Sequence, residues 1–310
     1  MTLPVPPLPV PTMPRPPVGV VGLGQLGGSL AAALVAAGRE VSGWDVDPAA
    51  RDAAAARGVH VTRELGGVVV LAVPLPATAG ALDGLEVDPA ATVTDLGSVK
   101  VSVLASVGAA LGDRFVGGHP MAGTERSGHG ATDPDLFRGA RWALCLEPGT
   151  DLRRWLRAAE VALDAGAEVV PLTAAEHDDA VAAVSHVPHL LAAALAAAAG
   201  EAGPLALALA AGSFRDGTRV IGSDPALVTA MVEGNAGPTA AALARVRAQL
   251  DRPWPDLVAA GHGVRTAGTT AGRRPVRVPL DRAALLALGR AGGAVTSRLA
   301  AFVEGWVPEG

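Results

Sequence analysis

The chain has 310 residues, half of them apolar, which is enough for one large domain or two ordinary ones with separate cores. A net charge of −5 over this length argues against nucleic-acid wrapping and against a polybasic membrane patch. The single cysteine, Cys145, excludes an intrachain disulfide and a multi-cysteine zinc site, and fits a reducing cytoplasm. Residues 1–17, MTLPVPPLPVPTMPRPP, carry eight prolines and no basic start. Proline cannot sustain a helical apolar region, so this reads as a disordered or polyproline-like leader and not a signal peptide.

Residues 18–45, VGVVGLGQLGGSLAAALVAAGREVSGWD, give a short apolar strand, a glycine turn, an Ala/Leu helix and a second strand ending at Asp45. In the turn, Gly22 permits the tight bend, Gly24 lets backbone approach a pyrophosphate and Gly27 lets helix pack on strand. Gln25 and Leu26 open the helix, whose N-terminal N–H groups favour phosphate. Asp45 lies 18 residues beyond Gly27, where a carboxylate accepts from ribose hydroxyls. Val46 and Asp47 follow it, with no arginine beside it for a 2′-phosphate, so the expected cofactor is NAD.

Further buried-type strands are expected at 68–74, 92–98, 115–120, 141–147 and 168–172, separated by helical or loop segments as in a doubly wound sheet. Ligands collect at the carboxyl ends of such strands, where Pro74, Ser98 and His119 fall. His119 stands in GGHPMAGTERSG. The following proline holds it extended and the glycines allow close approach, so it is either a general base facing a nicotinamide or a cap on its strand.

Residues 173–199 open on Thr173-x-x-Glu176, a capping box, and continue as a long apolar helix that Pro188 should kink. Ser185 and His189 are four apart on one face, and His186 lies on a neighbouring one. No third ligand sits near His186 and His189, so no metal site is expected. Broken by Glu201, glycines and Pro204, the apolar run reads as packed helices and not a membrane span. Arg215 and Arg219 precede a helix begun by Ser223-Asp224-Pro225; in a cleft, an arginine grips a carboxylate in bidentate fashion. Composition drifts strongly towards Ala, Gly, Arg and Pro, yet one lysine, Lys100, and one asparagine, Asn235, persist.

Together GGHPMAGTERSG, DLGSVK, SHVPH and SFRDGTR resemble the prephenate/arogenate dehydrogenase family of tyrosine biosynthesis, over roughly residues 18–250. The resemblance implies an α/β Rossmann-like N-terminal domain (18–172) followed by an all-α C-terminal dimerisation domain (173–250), with residues 251–310 as an extension. It further implies a cytoplasmic homodimer that oxidatively decarboxylates prephenate or arogenate with NAD. By motif match, His119 takes the hydroxyl proton, and Ser98 orients it and contacts nicotinamide. Ser185 and His189 line the substrate pocket, and Arg219 holds the ring carboxylate. Lys100 either supplies a positive field to the substrate or pairs with Asp95. Glu125 either gates the pocket or is a surface carboxylate, and Asn235 matches the pattern without an assigned role.

The extension is short for the ACT module that some relatives carry, and reads as a connector with a short strand and helix, a helical extension or remnant. No chorismate-mutase-like helical domain precedes the glycine turn. The competing readings are a β-hydroxyacid dehydrogenase or imine reductase, and an inactive NAD-binding regulator. The former usually uses a lysine on the long interdomain helix, which 173–199 lacks; the intact Ser98, His119 and Arg219 argue against the latter.

Overall fold

The computed structural model describes residues 15–123, 128–299 and 301–309. Strand β1 (Val18–Val21) runs into the glycine turn and helix α1 (Gln25–Ala36), then β2 (Val41–Trp44), α2 (Pro48–Ala55), β3 (His60–Val61), β4 (Glu64–Leu65) and β5 (Val68–Leu71). After β6 (Glu86–Val87), strand β7 (Thr92–Asp95) leads to two short helical turns, α3 (Val101–Val103) and α4 (Ala109–Leu111), and to β8 (Phe115–Val116). Six of these strands form a wholly parallel sheet in the order β3-β2-β1-β5-β7-β8. β1, β5 and β7 are buried along their whole length, which explains why β1 and β5 read as continuous apolar runs and not as alternating ones.

The expected strand over 115–120 is instead two strands in two sheets. β8 closes the parallel sheet; β9 (Gly118–Pro120) opens a second one with β10 (Arg141–Cys145) and β11 (Glu168–Leu172), packed by α5 (Leu152–Asp164). The break falls at Gly117 and Gly118 because the chain there passes over the end of β7. A Cβ on Gly118 would stand 2.7 Å from the Asp95 carbonyl oxygen and 2.9 Å from Thr94 Oγ1, so only glycine allows this crossing. The result lifts His119 beyond the carboxyl end of β7.

The helical body follows: α6 (Ala174–Val181), α7 (Val187–Glu201), α8 (Pro204–Ala208), α9 (Gly212–Thr218), α10 (Pro225–Gly234), α11 (Ala236–Leu250) and α12 (Trp254–Thr270). The capping box at Thr173 and Glu176 forms as read. Pro188 sits in the first turn of α7, and the missing N–H is accommodated by a wide π-type turn over Ala182–His186. The run Ala174–Glu201 is long and apolar enough to cross a membrane by composition alone. It nevertheless buries His177, Asp178 and His186 against neighbouring elements.

Residues beyond α12 depart from the helical-extension reading. β12 (Arg273–Pro279), α13 (Arg282–Arg290), β13 (Ala294–Arg298) and β14 (Phe302–Pro308) extend the second sheet to β12-β14-β13-β11-β10-β9. Leu285 and Val295 join the same core as Trp155 and Val169, so the segment is part of the fold. Its arginines tie it to its surroundings: Arg290 Nε donates to Glu176 on α6 at 2.6 Å, and Arg282 to the Thr150 carbonyl in the loop before α5 at 2.8 Å. The short strand and helix expected there are β12 and α13, and β13 and β14 go beyond them; RRPVRVP places arginine and proline where a strand pattern needs apolar residues. As an edge strand, β12 tolerates both.

Candidate active site

The glycine turn and β2 enclose a cavity of about 350 Å³ lined by Gly22, Gly24, Asp45, Val73 and Pro74. Gly22 has φ +91°, and a Cβ there would lie 2.5 Å from the Ala72 carbonyl; one on Gly27 would lie 1.8 Å from that of Gly22. A Cβ on Gly24 would meet no atom within 4 Å, the open approach a pyrophosphate needs. Asp45 accepts from the backbone N–H of Leu23 at 2.6 Å and of Asp47 at 2.8 Å, which fixes its carboxylate at the cavity wall. Sequence reading missed two cations beside it. Arg51, on α2, donates to the Asp45 carbonyl at 2.7 Å, and its guanidinium and that of Arg63 lie 4.6 and 4.4 Å from the Trp44 ring centroid. Neither adjoins Asp45 in sequence, so proximity alone reveals them.

A second cavity of about 590 Å³ meets the first at the N-terminus of α1. Its wall gathers Gln25, Leu26, Ser98, His119, Ser185, His189 and Arg219 from five separate segments. His189 donates from Nδ1 to the Ser185 carbonyl at 2.8 Å, the shared helix face that their spacing predicts. Arg219 lies on a 3₁₀ turn over Arg219–Gly222. Arg215, one helix turn earlier, is not in the wall. Glu125 falls outside the described residues.

Lys100 is not in the cavity wall, contrary to a role in holding substrate. Its fully buried ammonium pairs with Asp95 and donates to the Gly118 carbonyl at 2.7 Å, so two of its three N–H donors are engaged away from the cavity. Asp95 also accepts from the N–H of Gly97 and Gly118, each at 2.9 Å. The pair therefore clamps the residue just before His119. Single lysines survive a drift towards arginine where a planar guanidinium has no room.

No hydrogen bond joins His119 to Ser98 among the described residues. Among the described residues, its Nδ1 partner is His177 Nε2 at 2.9 Å, and His177 Nδ1 in turn meets Asp178 Oδ1 at 2.7 Å. Asp178 also accepts from the N–H of Lys100 and Val101, at 2.8 and 2.9 Å. Asn235 acquires a role here: buried at the α10–α11 junction, it donates to the Asp178 carbonyl at 2.7 Å and ties the helices together. Burial holds the pKa of His119 well below the ordinary histidine value, and repulsion from His177 and His186, whenever they take a proton, and from the Lys100 ammonium lowers it further. Burial also lowers His177, against the opposing pull of Asp178. For Asp178, burial acts upward, but hydrogen bonds from His177, Val101 and Lys100 win and keep it ionised.

Two cavities meeting at a helix N-terminus, one shaped for a dinucleotide and one presenting a neutral imidazole and a guanidinium, are the layout of a dinucleotide-dependent oxidoreductase. Residues 30–171 match the prephenate dehydrogenase nucleotide-binding domain, and residues 173–254 match the prephenate dehydrogenase dimerization domain. The chain belongs to the prephenate dehydrogenase family. It is 34% identical over 224 residues to a prephenate dehydrogenase of Bacillus subtilis, a match covering 66% of this chain and 60% of that protein. Among solved structures, prephenate dehydrogenase from A. aeolicus in complex with hydroxyphenyl propionate and NAD+ is similar at TM-score 0.75 and 28% identity, covering 83% of this chain and 99% of that one. Synechocystis arogenate dehydrogenase is similar at TM-score 0.69 and 30% identity, covering 81% and 98%.

Proposed function

We propose that the protein oxidatively decarboxylates prephenate or arogenate with NAD. The observation that carries this reading is the meeting of His119 and Arg219 in one cavity beside the glycine turn. Gly22, Gly24, Asp45 and Pro74 would hold the cofactor, which when bound supplies the hydride acceptor. His119 takes the proton from the ring hydroxyl as the carbon beside it loses hydride. Arg219 holds the ring carboxylate until its bond to the ring breaks and carbon dioxide leaves. The bonding electrons restore aromaticity and end on the oxygen, which recovers the proton from His119. The lysine-dependent dehydrogenase reading has no residue to carry it, since the one lysine is buried against Asp95.

Three expectations test this reading. Arg219→Ala should raise the substrate KM roughly ten- to hundredfold, the ~1.5–3 kcal/mol of a charge-assisted hydrogen bond, and leave NAD affinity unchanged. An unaltered KM would transfer the carboxylate to another group. NAD should be used about tenfold better than NADP, a difference of ~1.4 kcal/mol, because Asp45 repels a 2′-phosphate more closely than Arg51 and Arg63 attract one. Equal kcat/KM for the two cofactors would remove Asp45 from the ribose site.

The third concerns assembly. Leu209, Trp254 and Val264 of the helical body are 74%, 80% and 77% exposed, which is unusual for large apolar side chains and suits burial by a second copy through this domain. Sedimentation should give a homodimer at micromolar concentration; a monomer would refute it. A buried free thiol at Cys145 agrees with a cytoplasmic location.

A further inference from the structure

We propose that His177 and Asp178 are positioning residues that fix the tautomer of His119, placing its proton on Nδ1 and its lone pair on Nε2. The chain of assignment starts at the carboxylate. Asp178 is almost wholly buried and takes two backbone N–H groups, from Lys100 and Val101. An ionised carboxylate offers only lone pairs, so the His177 nitrogen 2.7 Å away, Nδ1, must carry hydrogen. Neutral His177 then has its lone pair on Nε2, and that atom lies 2.9 Å from His119 Nδ1. His119 therefore donates from Nδ1. The other ring nitrogen, Nε2, is left as the base.

The geometry around this chain is built to hold it still. The two imidazoles meet edge to face, with centroids 5.1 Å apart and planes at 70°. Asp178 is fixed at its carboxylate by the start of α3 and at its carbonyl by Asn235. The charged and titratable groups facing the pair are Asp95 at the end of β7, Lys100 after it, Asp178 on α6 and His186 on the turn that follows. The arrangement parallels the buried aspartate of a Ser-His-Asp triad, which orients its histidine without itself taking a proton. A second imidazole is interposed here.

The inference rests on the proposed role of His119, but its test reads a tautomer and not turnover, so the two can fail separately. In a histidine ¹⁵N spectrum of the full-length protein at neutral pH, the His119 signals are assigned by their loss in His119→Asn. The expected result is the Nδ1–H form, the less common one for a free imidazole; an Nε2–H form would overturn the proposal. Kinetics add a second test. His177→Phe should lower kcat roughly 10²-fold, with KM and NAD affinity kept, because His119 loses the acceptor that orients it. In His177→Asn the amide oxygen can accept the same proton and should restore most of the rate. An unchanged kcat in His177→Phe, or equal losses in the two variants, would make His177 a packing residue, and the wild-type spectrum decides even if a variant fails to fold.

Discussion

His119→Asn is expected to fold, to bind NAD normally and to lose roughly 10²- to 10⁴-fold in kcat, the usual cost of removing a general base. Asparagine fits the space between Gly118 and Pro120, and its amide can still hydrogen-bond to His177, so the β9 backbone has no reason to move. It cannot accept the hydroxyl proton. The unmodified enzyme should also show an acidic limb in kcat/KM, which reports the free enzyme. Burial and neighbouring positive fields favour neutral His119, so this limb lies below the ordinary histidine value of about 6.5. In the variant's residual activity the limb should vanish. Near-normal kcat with the limb retained would leave His119 as the cap of its strand.

The same burial has a consequence for stability. His119, His177 and His186 all have lowered pKa values in the folded state, His186 down to about 4. Between about 6.5 and those values, the unfolded chain binds protons that the folded chain refuses. Stability is therefore full above about pH 6.5 and falls as the pH drops through this window.

Lys100→Met carries the largest expected effect on stability, about 3–5 kcal/mol, read as a lower denaturant midpoint. Methionine is near in shape, so the loss is electrostatic: Asp95 stays buried with two N–H donors but no counter-charge, and the Gly118 carbonyl loses a donor. Adding Asp95→Asn should recover part of the loss by removing the stranded charge. The acidic limb of kcat/KM should also move up towards 6.5 in Lys100→Met, because Lys100 is one of the cations that lower His119. A single variant as stable as the wild type would mean that the buried Lys100–Asp95 pair does not hold the fold.

The parts of the site legible in the sequence were those whose chemistry is local. The glycine turn, Asp45 at the end of β2 and the Ser185–His189 face follow from spacing along one or two elements. Motif resemblance added Ser98, His119 and Arg219 to a common site, and the fold brings all of them to one wall. What stayed hidden depends on contacts between distant segments. His177 sits 58 positions from His119, inside a capped helix beside two aspartates, where it reads as a surface residue. The division of the sheet at Gly117 follows from how closely Gly118 passes Asp95, which no periodicity shows. Of the last sheet segment the sequence offered only a short strand and a helix; the partner strand β14, which pairs with the arginine- and proline-rich β12 along its full length, was not legible, because an edge strand needs only one face and one neighbour.

The most direct measurement is NADH formation by the purified protein, given NAD with prephenate and, separately, with arogenate, while carbon dioxide release is followed in parallel. The account predicts one carbon dioxide per NADH with at least one of the two, and loss of both products together in His119→Asn. No NADH from either substrate, from protein that binds NAD, would contradict it.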